Sequence, residues 1–315
     1  MREYSWNEIR HLSWRDVSTW WDVGWSLLWR SVFQLCALTG LWGAFWWPFY
    51  AVLTRLHKTG DAPMKFMNYG YLPVKEEEKE EYVRVLKRVR DEGVDDQHGT
   101  HVLLYEKTLR SCPEYPKFHG KIMVEISCGH GGGLVWIEKQ YSFDSVRGMD
   151  LWVADTAEGR ILQGSALDIP LKGGSVDVCL NVESSHCYHD QPKFFNECFR
   201  VLKPGGYLLW SDFRPIGYRM DLCFTDPVES GFEEVSREDI TASVFASLNV
   251  QHHYIRELFQ RRWYTRWCMM AWANFWAMPG TAMYRLFRDD KLQYFTVCWR
   301  KPLDNKTPKR AHGQV

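Results

Sequence analysis

The stretch Val124-Glu125-Ile126-Ser127-Cys128-Gly129-His130-Gly131-Gly132-Gly133 decides the fold of this chain. Three apolar or buried-type residues end in a small, glycine-rich turn, and Leu134-Val135-Trp136-Ile137 then opens a helical pattern. Small residues between a strand and a helix let a backbone approach a ligand closely, and the helix N-terminus presents free N–H groups to an anion. Alone, such a turn also suits a dinucleotide or simply a tight bend.

Working outward, short apolar runs alternate with helical periods. The expected strands are Lys121–Ile126, Ser145–Asp150, Val176–Asn181 and Gly206–Ser211, with Tyr294–Trp299 as a late edge strand. The expected helices are Leu134–Gln140, Pro192–Leu202 and Arg237–Leu248, the last begun by a capping box of Ser236 and Asp239. Strands alternating with helices imply an α/β, Rossmann-like, doubly wound, mostly parallel sheet with an antiparallel edge strand. Upstream, Lys75–Glu92 is a charged helix with Tyr82, Val85, Leu86 and Val89 on one face, and His101–Arg110 reads as a second helix. These give a helical cap over residues 61–115, a domain over 116–302 and a polar, disordered tail over 303–315 within KPLDNKTPKRAHGQV.

The first 60 residues differ in texture. The chain holds 17 tryptophans, and nine of them precede residue 48. Indole suits a membrane interface, being apolar with one polar N–H. Residues 1–30 mix charges with Trp6, Trp14, Trp20, Trp21, Trp25 and Trp29, in the manner of an interfacial helix. Ser31 to Leu53 carries no charge. As a helix it spans about 35 Å, against a bilayer core of about 30 Å. Three readings stand: a transmembrane helix, an in-plane or re-entrant anchor favoured by Gly40, Gly43 and Pro48, and an apolar cap on the domain. The expectation is an N-terminal membrane segment over 1–60 on an intracellular membrane such as the endoplasmic reticulum, with the remainder facing the cytosol. Trp263–Phe287 is a second aromatic and methionine-rich stretch, either a buried helix or a flexible lipophilic wall.

Composition excludes other classes. With 39 basic and 39 acidic residues there is no electrostatic footprint for nucleic acid. The nine cysteines form no C-x-x-C pair, so neither a disulfide framework nor a metal site is expected.

Further motifs extend the glycine turn in order. Asp150 ends the next strand. Gly164-Ser165-Ala166-Leu167-Asp168-Ile169-Pro170 leads to Val176-Asp177-Val178-Cys179-Leu180-Asn181, and Val201-Leu202-Lys203-Pro204-Gly205-Gly206 follows. The set resembles class I S-adenosyl-L-methionine-dependent methyltransferases over about residues 64–302. The stretches V-E-I-S-C-G-H-G-G-G and N-V-E-S-S-H-C-Y more specifically resemble the phthiotriol/phenolphthiotriol dimycocerosates methyltransferase group, whose members O-methylate long lipid alcohols. Met67-Asn68-Tyr69-Gly70-Tyr71 resembles a short motif that folds over the cofactor in related enzymes.

The resemblance implies roles by position. Glu125, Ser127, Gly129 and Gly131 would line the methionine end of the cofactor, and Asp150 would hold the ribose. Ser165 and Ala166 would sit beside adenine, while Asn181, Val182 and Glu183 would lie under the sulfonium. Tyr69 and Tyr71 would close the site, unless they simply pack in the cap. Two departures accompany this. Only 13 residues separate Asp150 from Gly164, where the group fits a helix and a third strand, and Arg160–Gln163 is the remnant of that strand. Ser165 stands where the group commonly places Asp.

Methyl transfer to an alcohol benefits from a base near its operating pH. His186 is the first candidate and His189 the second, each with a surface or structural role as the alternative; His130 is placed at the cofactor's border. The leading reading is O-methylation of a lipophilic or lipid alcohol at a membrane. N- or C-methylation of a phospholipid or sterol-like acceptor, and a membrane scaffold without turnover, are the alternatives.

Overall fold

A computed structural model describes residues 50, 54–55, 65–93, 98–153, 159–216, 221–260 and 273–303. Apart from Tyr50, Thr54 and Arg55, the expected transmembrane or interfacial segment lies outside them, as do residues 154–158 and the tail beyond Leu303. Among the described residues no helix is long and apolar enough to cross a membrane.

The domain alternates as the sequence patterning demands. Strand β1 (Ile122–Ile126) leads to the glycine turn, and the second, parallel strand β2 (Ser145–Asp150) lies beside it. Strand β3 (Ile161–Gln163) is only three residues long and pairs parallel with β2, so the shortened connection keeps the expected third strand in minimal form. Strand β4 (Val176–Val182) pairs with the other side of β1, and β5 (Leu202–Pro215) with β4. The seven-stranded order is β3-β2-β1-β4-β5-β7-β6, where β6 is Glu233–Asp239 and β7 is Leu292–Arg300.

Two expectations are corrected at the antiparallel side. The Tyr294–Trp299 strand is not the edge: β7 is inserted between β5 and β6 and antiparallel to both. The edge is β6, which occupies most of the start assigned to the Arg237–Leu248 helix. Residues Glu233–Asp239 are nearly all exposed and rich in charge, so the strand has no apolar alternation to betray it. The helix begins at Thr241 instead, and the capping box of Ser236 with Asp239 does not form. Asp239 Oδ1 accepts from the Thr241 amide at 2.9 Å, ending the strand and starting the helix.

Helices cover both faces. On one lie the cap helices, α1 (Glu76–Asp91) and α2 (Gly99–Arg110), with α3 (Gly132–Gln140) and the long helix Thr241–Gln260. The other face takes Gln191–Val201, whose Phe194, Phe195, Cys198 and Val201 are buried. Asp190 caps that helix, accepting from the Lys193 amide at 3.0 Å, with Pro192 in its first turn. The tail is anchored at its start: Lys301 is buried, and its Nζ donates to the carbonyls of Phe199 and Leu202 at 2.7 and 2.8 Å.

The cap is bound to the sheet through a buried carboxylate. Glu106 is fully buried and accepts from Trp136 Nε1 at 2.7 Å, Tyr141 Oη at 2.6 Å and Tyr115 Oη at 3.2 Å. Arg88 and Arg110 stand 3.8 Å away and balance its charge. Its removal strands buried donors on α3 and beyond, a larger loss than that of an exposed pair. Glu106→Ala is therefore expected to lower stability by about 3–5 kcal/mol in urea denaturation. Breaking the exposed Lys139–Glu92 pair by Glu92→Ala should cost below about 1 kcal/mol by the same measurement.

Candidate active site

The sheet order reverses direction between β1 and β4, and ligands of open α/β sheets bind at the carboxyl ends of strands beside that point. A cleft opens there, enclosing about 1020 Å³ with its open mouth included. Its walls come from the glycine turn (Ser127 to His130), the end of β2 (Asp150 to Trp152), the end of β4 (Val182 to Ser184), Cys187 and Tyr188, and a strap over Lys65 to Asn68.

The strap explains part of the glycine content. It crosses the turn so closely that a Cβ on Gly132 would sit 2.3 Å from the Lys65 carbonyl oxygen, and one on Gly129 would sit 2.4 Å from Met67 Cε. The strap is pinned at its C-terminal end. Tyr71 N donates to Thr100 O at 2.8 Å, and Leu72 N to Ser243 O at 3.0 Å. Tyr69 N donates to Glu183 Oε2 at 2.5 Å, while Tyr69 O accepts from Ser247 and Gln251 side chains at 3.0 and 2.9 Å.

Three carboxylates converge below it. Asp150 Oδ2 accepts from Gly129 N at 2.8 Å and its Oδ1 from Trp152 N at 3.0 Å, so its side chain bridges two strand ends. Burial raises Asp150 to about 6 against the pull of the Trp152, Gly129 and Leu151 amides. Glu125, behind the wall, accepts from Tyr105 Oη at 2.6 Å and is pushed to about 8 by burial, with the Tyr105 bond opposing and Asp150 adding. Glu183, on the wall, has a left-handed φ of 53° and is held well above the ordinary carboxylate range, chiefly by burial. One oxygen on each of Glu125 and Glu183, and Nδ2 of Asn68, have no hydrogen-bond partner among the described residues.

The expected site residues divide. Ser127, Gly129, Asp150, Val182 and Glu183 share the cleft wall. Asn181 braces it from behind: its Nδ2 donates to Ile126 O at 3.0 Å and Ser184 Oγ at 2.7 Å, tying β4 to β1. Gly131 is set back at the N-terminus of α3, against Ile161. Ser165 and Ala166 do not reach the wall. Ser165 turns inward to accept from Leu167 N at 3.2 Å, and Ala166 is buried in the core of the opposite face.

The aromatic lid is corrected. Neither Tyr69 nor Tyr71 lines the cleft. Tyr69 stacks on Phe213 at 5.5 Å and donates from Oη to Phe275 O at 2.8 Å. Tyr71 is buried in the cap against Tyr82 at 5.3 Å, with its hydroxyl on Glu78. The strap contributes Phe66, Met67 and Asn68 to the wall instead. Of the Trp263–Phe287 stretch, only residues from 273 on are described. Trp276 is buried, and Phe275 meets Tyr50 edge-on at 6.0 Å.

The two histidines proposed as bases also stand apart from the wall. His189 is exposed. His186 is set in a buried ionic cluster: its Nδ1 meets Asp212 Oδ1 at 2.8 Å, its amide donates to Asp212 Oδ2 at 2.8 Å, and Arg214 lies 3.2 Å from that oxygen. Burial opposes charge on His186, yet Cys187 and the Asp212 carboxylate facing it raise it to about 10. An imidazole already protonated at neutral pH has no lone pair to take a proton. Asp212, inside β5, was not recognisable from the sequence as this partner.

The model of the methyltransferase domain family matches residues 124–210. A Mycobacterium leprae phthiotriol/phenolphthiotriol dimycocerosates methyltransferase is 29% identical over 265 residues, covering 81% of this chain and 92% of that one. A Mycobacterium ulcerans protein named "probable phthiotriol/phenolphthiotriol dimycocerosates methyltransferase 2" is 30% identical over 241 residues, covering 71% of this chain and 84% of that one. The chain belongs to the phthiotriol/phenolphthiotriol dimycocerosates methyltransferase family. It is an S-adenosylmethionine-dependent methyltransferase. The fold agrees with a Haemonchus contortus phosphoethanolamine N-methyltransferase 2 solved with S-adenosylhomocysteine, at a TM-score of 0.52 and 17% identity over 64% of this chain and 52% of that one.

The cleft of this methyltransferase fits that cofactor. Orphaned acceptors on Glu125 and Glu183 suit an ammonium or sulfonium charge, and Asp150 suits a pair of hydroxyls. Tyr50, Phe66, Tyr105, Trp152 and Tyr188 put aromatic rings around a cation. Because Asp150 accepts best when ionised, affinity for S-adenosylhomocysteine should hold above pH of about 6 and weaken as pH falls through it. Asp150→Asn should weaken that affinity by roughly 10–100-fold at neutral pH and remove this part of the pH dependence in calorimetric titrations.

Proposed function

We propose that this enzyme transfers the methyl group of S-adenosylmethionine to the hydroxyl of a lipophilic alcohol held at a membrane. The observation that carries the reading is the position of Tyr50, which lines the cleft directly. Tyr50 lies within the uncharged run Ser31–Leu53 and follows Trp42, Trp46 and Trp47. A residue of a lipophilic sequence of membrane-anchor type therefore belongs to the cleft wall, which suits a long acceptor entering from a bilayer without crossing water.

The relatives point the same way, being named for phthiotriol and phenolphthiotriol dimycocerosates. The cleft exposes more apolar than polar surface, as expected where one end of an apolar molecule is oriented for reaction. When bound, the cofactor supplies an already activated methyl group. The chain's own contribution is alignment of the acceptor and exclusion of water by the strap and the aromatic walls.

The full-length protein in liposomes, given methyl-labelled S-adenosylmethionine and 1-hexadecanol, is expected to produce a labelled methyl ether in the lipid extract. Label moving only to oleic acid, or to the headgroup of phosphatidylethanolamine, refutes the alcohol reading. Alkaline carbonate is expected to leave the protein in the membrane fraction; complete release removes the spanning-anchor part of the proposal.

A further inference from the structure

Glu183 occupies a position that cofactor binding alone does not explain. It follows β4 directly and takes a left-handed backbone, φ 53°, without being glycine. Such a conformation costs about 1–3 kcal/mol and persists where the surroundings impose it. Here the imposition is visible: the Glu183 amide donates to Ser211 O at 2.7 Å, and its side chain takes the strap amide of Tyr69. The result sets Glu183, 7% exposed, in the cleft wall, with Oε2 occupied and Oε1 buried without a hydrogen-bond partner among the described residues.

The two neighbouring carboxylates and His186 are engaged with other groups. Both Asp150 oxygens accept backbone amides. Glu125 lies behind the wall on Tyr105. His186 lies off the wall and is bound to Asp212. Around Glu183 stand Tyr69 of the strap, Tyr105 of α2, His186 and Cys187 of the turn after β4, Asp212 of β5 and Tyr294 of β7. Burial holds the group towards its neutral form, the His186 charge and the Tyr69 amide oppose that, and Asp212 and Cys187 reinforce it. A cation arriving in the cleft shifts that balance towards the carboxylate.

We propose that Glu183 is the general base of methyl transfer, its Oε1 accepting the proton of the acceptor hydroxyl. The proposal rests on the lipid-alcohol reading. In the balanced step the acceptor oxygen bonds to the methyl carbon as the carbon–sulfur bond breaks. The hydroxyl proton passes to Glu183, and the products are the methyl ether, S-adenosylhomocysteine and a protonated carboxyl that later returns its proton to solvent. The cluster of His186, Asp212 and Arg214 is a positioning element behind the base. The strap hydrogen bond gives the base its orientation and makes an ordered strap a condition for catalysis.

Two readouts separate this proposal from the reading beneath it. The first needs no acceptor. Calorimetry in two buffers of different ionisation enthalpy, at about pH 6 to about pH 8, counts protons released on binding S-adenosylmethionine and S-adenosylhomocysteine. These ligands share ribose and amino acid, so the difference isolates the sulfonium charge. Wild-type protein is expected to release more protons with S-adenosylmethionine, and Glu183→Gln to abolish the excess. No excess in the wild type, or an unchanged excess in the variant, overturns the proposal. The second readout uses 1-hexadecanol. Glu183→Gln should lower kcat by about 100-fold or more with little change in KM, and flatten the acidic limb of the kcat profile. A kcat within about fivefold of wild type, with the same profile, also overturns it. Glu183→Asp, which retains a carboxylate, should recover part of kcat if Glu183→Gln folds poorly, and no recovery counts against the base. If the wild type methylates no alcohol, the lipid-alcohol reading fails and with it an alcohol's base; the calorimetric arm still reports whether Glu183 titrates against the sulfonium.

Discussion

Everything at the site depends on β1 and β4 lying side by side and parallel while their connecting helices leave on opposite faces. Met123, Val124 and Glu125 are in register with Val178, Cys179 and Leu180. That pairing sets the glycine turn after β1 and the Glu183 turn after β4 next to each other, with no intervening strand. Asn181 then joins them by donating to Ile126 O. Ser127 and Glu183 both take left-handed backbones just past the paired region. The two strand ends thus peel apart at once, and the gap they leave is the cleft.

The region around this gap is unusual for how much charge it keeps from water. Glu106, Glu125, Glu183 and Asp212 are all buried. Their surroundings differ, and so do their states. Asp212 faces His186 and Arg214 and is held well below the usual carboxylate range even though burial pushes the other way. Glu125 and Glu183 lack a comparable fixed cation and are pushed up. Glu106 is satisfied by donors from three aromatic side chains. One pair of carboxylates therefore stabilises the frame, while the other is left short of positive charge beside the cleft. A buried anion without a counter-ion costs folding free energy, and that deficit is what a cationic ligand relieves.

Much of this was legible in the chain because local rules and the global fold agree. The glycine turn, Asp150, and the runs ending at Asn181 and Ser211 have patterns that only a parallel sheet satisfies, and the strands appear within a few residues of the expected bounds. What escaped has physical reasons. Glu233–Asp239 is exposed on both faces, so its strand character comes wholly from pairing with β7, a long-range contact that leaves no periodicity. Tyr71 reads as a lid because tyrosine suits a ligand, yet only the first part of the strap, Phe66, Met67 and Asn68, lines the cleft, and Tyr71 packs in the cap. His186 sits near the expected place in the chain, but its role depends on Asp212, 26 residues away. No spacing rule in one sequence reveals that partner.

The exposed charges of β6 have a further consequence. A sheet with open rims invites strand addition from a neighbouring molecule. Here one rim is β3, too short at three residues to template a partner. The other carries Glu233, Glu234, Arg237 and Glu238, with Lys75 and Lys107 clamped onto Glu238. Any strand docking there must strip water from several ions at once. Edge-to-edge pairing is therefore disfavoured, and the protection lies in the same residues that concealed the strand.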